Sequence, residues 1–197
     1  MTDHIAKYFG LNNLSIETAI RSAEKSLAIS LRDRQAVEEI DDKKEDIYYP
    51  QFSEGLRSEA ERMAKNYVLF YSLENAIRDL IVEVLADAHG PDWWKVKGVV
   101  PETMAGNAEK NRKKEESSSF TLRSDRMIDY TNFGELGEII KVNWNIFGAI
   151  FRDIRAVEQV ISRLNALRAS IAHCTALSED EELRLHLSVR DWFRQQS

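Results

Sequence analysis

The segment FSEGLRSEAERMAKNYVLFYSLENAIRDLIVEVLADA, residues 52–88, carries one apolar stripe along its whole length. Apolar residues recur every three or four positions from Leu56 to Val84, and charged residues flank them on both sides. This spacing places them on one face of an α-helix of about ten turns, the usual spine of a helical bundle. Gly90 and Pro91 end the pattern, because glycine suits a left-handed helix cap and proline cannot continue a helix.

The same spacing recurs on both sides of this segment and predicts further helices. The start of the last one is marked by a capping box of Ser178 and Glu181. No stretch alternates as a strand does, and there is no internal repeat. We therefore predict an all-α fold, an antiparallel bundle of about five helices. The four helices beyond the long one are predicted at residues 15–40, 133–147, 154–171 and 178–193.

Glycine and proline are scarce, with 8 and 3 in 197 residues, which disfavours a sandwich, barrel or propeller that needs frequent turns. Five of these residues lie between Gly90 and Gly106. We interpret residues 90–128 as a long insertion loop with room for one short helix. Residues 1–47 are predicted to form an N-terminal helical extension, and residues 48–197 the bundle itself.

The formal net charge of −6 argues against a protein whose whole surface binds polyanions. The predicted insertion is nevertheless locally positive. Cys174 is the single cysteine, so no intramolecular disulfide and no cysteine-rich metal site is expected. With neither a signal pattern nor a run of about 18 apolar residues, the sequence predicts a cytoplasmic protein that does not associate with membranes.

Several enzyme chemistries lack their motifs. Gly134 and Gly137 have neither the spacing nor the preceding strand of a phosphate loop, and the four histidines are scattered. Glu182 and His186 are four positions apart on the last helix, but a single pair of this kind is usually surface charge. There is no nucleophile elbow. We predict no metal and no cofactor.

The sequence RASIAH, residues 168–173, ends the predicted helix 154–171. Arginine holds phosphate with a planar, permanently charged fork, and histidine transfers protons near neutral pH. Five positions rotate about 140° along an ideal helix, so the two side chains converge only if the arginine curls or the helix turns. On spacing alone, the simpler interpretation is structural: Arg168 pairs with a carboxylate such as Glu74, and His173 bonds a carbonyl.

Several stretches also match the motifs of one known family. YSLENAIRDLI, residues 71–81, looks like a first core helix with the signal Leu-Glu-x-x-Leu-Arg, and residues 168–173 carry an Arg-x-x-x-x-His motif. Together they resemble the HEPN superfamily, named for higher eukaryotes and prokaryotes nucleotide-binding. The Swt-type branch is the most similar, through residues 129–136, Trp144 and residues 189–193.

This resemblance implies an all-helical, metal-independent endoribonuclease that acts as a homodimer. Such proteins are often toxins of toxin–antitoxin or phage-defence systems, so an antitoxin protein is a further expected partner. By the resemblance, His173 exchanges a proton with the ribose 2′-hydroxyl or the leaving 5′-oxygen, and Arg168 holds the scissile phosphate. Ser170 would supply a hydroxyl. Glu74 would orient the site, or merely form a helix ion pair with Arg78.

The candidates for contacting the RNA backbone are all basic: Lys110, Arg112, Lys113, Lys114 and Arg78. The lysine cluster has an alternative interpretation as an ordinary solvated loop. Two other functions also stay open, a catalytically inactive HEPN module and a helical scaffold, either of which would bind a partner protein or a nucleotide.

Overall fold

The computed structural model describes residues 51–119 and 121–196. Its longest element is α1, Glu54–His89, whose 36 residues extend about 54 Å at 1.5 Å per residue. The predicted stripe is buried or half-buried from Phe70 onward, whereas Leu56, Ala60 and Tyr67 nearer its start are exposed. The helix ends at the predicted place. Gly90 adopts a φ of 84°, and its N–H donates to the carbonyl of Ala86 at 2.8 Å. The helix predicted at residues 15–40 and the extension at 1–47 lie outside the described residues.

Five more α-helices follow, and no β-strand occurs in the part of the chain that the structure describes. The all-α prediction is therefore confirmed. Two short 3-10 helices, Trp93–Lys95 and Met127–Tyr130, lie in the connections. The helices are α2 Glu102–Glu116, α3 Phe133–Val142, α4 Trp144–Phe147, α5 Ile154–Ala172 and α6 Glu179–Gln195.

The core lies between α1, α3, α5 and α6. Helix α5 packs directly against both α3 and α6, and the rings of Phe70 on α1 and Phe133 on α3 are 5.0 Å apart between centroids. Gly137 permits the close approach of α3 to α5, because a Cβ there would lie 3.0 Å from Cγ2 of Ile161. The fully buried side chains include Ile77, Ile81, Leu85, Leu136, Ile139, Leu164 and Leu185.

Two local features determine where the C-terminal helices end and begin. The apolar pattern predicted as one helix over 133–147 is divided at Asn143, whose buried side chain donates to the carbonyls of Val99 and Ile139 at 2.8 and 2.7 Å. The capping box predicted for the last helix is present: the N–H of Glu181 donates to Ser178 Oγ, and Glu181 accepts from the N–H of Ser178. This capping box determines that α6 begins at Glu179.

The stretch predicted as a long loop, 90–128, contains the 15-residue helix α2. The sequence predicted room for one short helix here; its length was not apparent because only Met104 and Ala108 of this helix are buried, too few for a recognisable apolar period. Two ion pairs four residues apart, Glu109–Lys113 and Arg112–Glu116, support the rest of the helix.

None of the described helices is long and apolar enough to cross a membrane.

Candidate active site

A cavity of about 650 Å³ opens between α1, the segment 123–132 and the end of α5. Its chemistry is polar and its local charge is positive, because four arginines line it against the carboxylates of Glu74 and Asp129. We call it the arginine cavity. A chain with a net charge of −6 therefore has a local excess of positive charge among the residues that line this cavity. The four arginines are Arg78, Arg123, Arg126 and Arg168.

The innermost of these is Arg78, whose side chain is only 7% exposed. Its Nη2 donates to Glu74 Oε1 at 2.6 Å and to the carbonyl of Thr131 at 3.0 Å. Its Nη1 donates to the carbonyl of Ile128 and to Thr131 Oγ1. A guanidinium whose two terminal nitrogens are both bonded holds neighbouring groups in place. This burial favours a positioning role for Arg78 over the RNA contact predicted from the sequence.

Glu74 joins the buried and the accessible arginines. While Oε1 accepts from Arg78, Oε2 accepts from Arg168 Nε at 3.4 Å, across the bundle from α1 to α5. Both ion pairs raised as structural alternatives in the sequence are thus present. These ion pairs leave part of Arg168 available for other contacts. Its side chain is 39% exposed, and its Nη1 and Nη2 have no partner among the described residues. Glu74 therefore orients Arg168 through one edge and leaves the outer edge of the guanidinium open to the cavity.

His173 lies directly after α5 and is not among the residues that line the cavity, although its neighbour Ala172 is. Its side chain is exposed, and the described part of the chain offers it no hydrogen bond. The turn that carries it is well defined: the N–H of Cys174 donates to the carbonyl of Ile171, and that of Thr175 to Ser170. This is a Schellman motif with Cys174 in the left-handed position usually taken by glycine, at a φ of 53°.

Ser170, the third predicted catalytic residue, is half-buried on α5 and does not line the arginine cavity. Its backbone carbonyl accepts the N–H of Thr175 at 2.9 Å and so helps to close the helix. The structure thus brings Arg168 and Glu74 together, and it leaves both the exposed His173 and the hydroxyl of Ser170 outside the lining of the cavity.

The outer wall of the cavity is formed by residues that the sequence did not single out as a site. Arg126 bridges Asp79 of α1, at 2.6 Å, and Asp129, at 2.8 Å. These hydrogen bonds, which Arg126 donates to Asp129 and to Asp79, raise the pKa of Arg126 further, and the bond to Asp129 has the larger effect. Burial alone would raise the pKa of Asp129, but the hydrogen bonds from Arg126 and Ser124 outweigh it and lower that pKa below its ordinary value.

Arg123 is held at the rim by Glu115 and by the ring of Tyr130, whose centroid lies 5.1 Å from the guanidinium carbon. The hydrogen bond from Arg123 lowers the pKa of Glu115. A signal for these arginines was present in the sequence, in the excess of positive charge between residues 107 and 126. It did not reveal which of the basic residues face the cavity.

The basic cluster on α2 takes a different place from the arginines. None of Lys110, Arg112, Lys113 and Lys114 lines the arginine cavity, and only Asn111 of that stretch does. Arg112 and Lys113 are paired with glutamates of their own helix, while Lys110 and Lys114 are exposed. The contact of this cluster with RNA stays a prediction, and it would occur outside the cavity.

No group of three or more potential metal ligands is found among the described residues. The cavity itself offers guanidinium groups and carboxylates, and His173 adds an exposed imidazole on the turn after α5. Guanidinium groups suit an anion of phosphate type, and an imidazole suits proton transfer near neutral pH.

An all-α bundle whose α5 ends in an Arg-x-x-x-x-His motif is the combination that resembles HEPN domains. The comparison with family models agrees, since the model described as Swt1-like HEPN matches residues 69–197. The chain belongs to the Swt1-like HEPN family. No curated protein and no solved structure matches it.

Proposed function

We propose that this chain is a metal-independent endoribonuclease of HEPN type that cleaves single-stranded RNA by attack of a 2′-hydroxyl. The observation that carries the proposal is the placement of Arg168. Glu74 fixes one edge of its guanidinium, its outer edge is open, and the exposed His173 follows at the end of the same helix. A group that binds an anion and a free group that transfers protons are the two parts that phosphodiester cleavage by an internal nucleophile requires.

In the proposed reaction the ribose 2′-oxygen bonds to phosphorus and the bond from phosphorus to the 5′-oxygen breaks. One imidazole takes the proton of the 2′-hydroxyl, and a protonated imidazole gives a proton to the leaving 5′-oxygen. Arg168 holds the phosphate and stabilises the charge that builds on its equatorial oxygens. The 2′-hydroxyl is the nucleophile, so RNA and not DNA is the substrate.

One copy of the chain carries a single such histidine, and two proton transfers are needed. We therefore propose a homodimer in which His173 of each copy contributes to a shared site. The exposure of His173 supports this arrangement, because a second surface can reach it. A role as the toxin of a toxin–antitoxin or phage-defence system, neutralised by an antitoxin protein, belongs to the same proposal.

A second candidate is an inactive HEPN module that binds a nucleotide or a partner protein. Two observations favour it: His173 lies outside the lining of the cavity, and Glu74 already neutralises part of the charge on Arg168. In this case the cavity would bind phosphate without cleaving the ester.

The two functions are separated by RNA cleavage in the presence of a chelator. We expect the wild-type protein to cleave, and His173→Ala and Arg168→Ala each to lose at least 100-fold in rate, the range of general acid–base and charge-stabilising groups. The matched controls are His186→Ala on α6 and Arg163→Ala on α5, both exposed and outside the cavity. Cleavage by His173→Ala at the wild-type rate would contradict the assignment, and absence of cleavage by every protein would favour the inactive module.

A further inference from the structure

Two exposed aromatic residues line the arginine cavity. Tyr67 and Tyr71 line it from α1, at 55% and 57% exposure, which is unusual for large aromatic residues. Their ring centroids are 5.8 Å apart with an interplanar angle of 32°. Neither hydroxyl has a hydrogen-bond partner in the part of the chain that the structure describes, so neither ring is fixed by a polar contact.

The two tyrosines lie on the same helix as Glu74 and Arg78. Tyr67, Tyr71, Glu74 and Arg78 follow at spacings of four, three and four residues, which places them on one face of α1. Along this face the side chains pass from exposed rings, through the half-buried carboxylate that orients Arg168, to the buried guanidinium. Tyr71 lies about one turn, and Tyr67 about two turns, from the residue that holds Arg168.

We infer that Tyr67 and Tyr71 form a base-stacking surface that holds nucleobases of a single-stranded RNA next to the phosphate bound by Arg168. The ligand class rests on the proposed function. Exposed rings beside arginines provide the two parts of single-strand recognition, since the cations bind the backbone and the rings stack on the bases. Every base has a π face, so this surface tolerates different sequences and affects affinity more than sequence choice.

The test measures binding separately from cleavage. A fluorescently labelled single-stranded oligoribonucleotide is titrated with proteins that all carry His173→Ala, and anisotropy gives the Kd. In that background Tyr67→Ala and Tyr71→Ala are expected to weaken binding roughly 5- to 100-fold each, the range measured when a stacked aromatic residue is removed. Tyr67→Phe and Tyr71→Phe keep the ring and are expected to bind as the parent does.

The matched control is Phe193→Ala on α6, because Phe193 is also exposed, at 53%, but does not line the cavity. It is expected to leave the Kd unchanged. A second readout uses oligoribonucleotides with one abasic position moved along the chain. At the stacked position, loss of the base should weaken binding to the parent protein, and Tyr71→Ala should add little further loss.

Unchanged affinity of both Tyr→Ala variants would overturn the inference. So would absence of binding by the parent protein, or a loss of affinity that coincides with loss of the dimer in a mass measurement, because the rings would then pack against a second copy. The failure of the proposed function gives a different result. If the wild-type protein does not cleave but the tyrosine variants still lose affinity, the stacking surface stands and the nuclease assignment falls.

Discussion

Arg168 Nε lies 3.4 Å from Glu74 Oε2, so residues 94 positions apart in the sequence form an ion pair across the bundle. The other oxygen of the same carboxylate is held by the buried Arg78. Glu74 thus connects the buried guanidinium of Arg78 to the accessible guanidinium of Arg168.

The first prediction concerns the stability that Glu74 contributes. Glu74→Ala leaves the charge of Arg78 buried without its carboxylate partner, and breaking such a pair costs about 3 kcal/mol. We expect urea unfolding to give a free energy lower by about that amount. Glu83→Ala, at an exposed position of the same helix, is the control and should change it by less than about 0.5 kcal/mol. Equal effects of the two substitutions would mean that the ion pairs of Glu74 do not stabilise the fold.

The second prediction concerns acid and Asp129. Hydrogen bonds from Arg126 and Ser124 lower the pKa of Asp129 in the folded protein against the pull of burial. A lowered pKa stabilises the fold above the ordinary pKa of an aspartate, about 3.9, and this contribution is lost as the pH falls through the folded value. Asp129→Asn should therefore be less stable than the wild type at pH 6, and the difference should shrink towards pH 2. Urea midpoints across this range measure it, and a constant difference would contradict the coupling.

The third prediction concerns the turn that carries His173. Cys174 adopts a φ of 53°, a conformation that glycine reaches without steric cost. We expect Cys174→Gly to stabilise the fold by about 0.5–1 kcal/mol relative to Cys174→Ala, which keeps the strained backbone. Thermal unfolding of the two variants provides the comparison. A glycine variant less stable than the alanine variant would show that the left-handed position is not strained.

The fourth prediction distinguishes the cavity from the basic cluster on α2. Arg123 lines the cavity, whereas Lys110 is exposed outside it. If RNA phosphates lie in the cavity, Arg123→Gln removes a phosphate contact and lowers the slope of log Kd against log salt by about 0.7, the value for one phosphate of a single strand. Lys110→Gln should leave the slope unchanged. The reverse order of effects would place the RNA along α2.

Much of the fold is readable in the sequence because its signals are local. The apolar period of α1, the glycine that ends it and the Ser178–Glu181 capping box each depend on residues a few positions apart. The length of helix α2 could not be predicted in this way, because ion pairs rather than an apolar face support it. Only Met104 and Ala108 of this helix are buried.

The site is only partly readable for the opposite reason, since its contacts join distant segments. The sequence identifies Arg168, His173 and Glu74 as candidates and raises each ion pair of Glu74 as an alternative, but it does not show that both pairs form at once. The bridge of Arg126 to Asp79, 47 residues away, follows from how the segment before α3 packs on α1. Spacing along one helix carries no information about such a contact.

The most direct test of the proposed nuclease uses one RNA with a single altered atom. Once a cleavage site has been mapped in a test RNA with wild-type protein and a chelator, the same RNA is made with a 2′-deoxy sugar on the 5′ side of the scissile phosphate. We predict that cleavage at that position is lost while other positions are still cut, and that the wild-type products carry 2′,3′-cyclic phosphate and 5′-hydroxyl ends by mass spectrometry. Unchanged cleavage of the deoxy-substituted RNA, or products with 3′-hydroxyl and 5′-phosphate ends, would contradict attack by the 2′-hydroxyl.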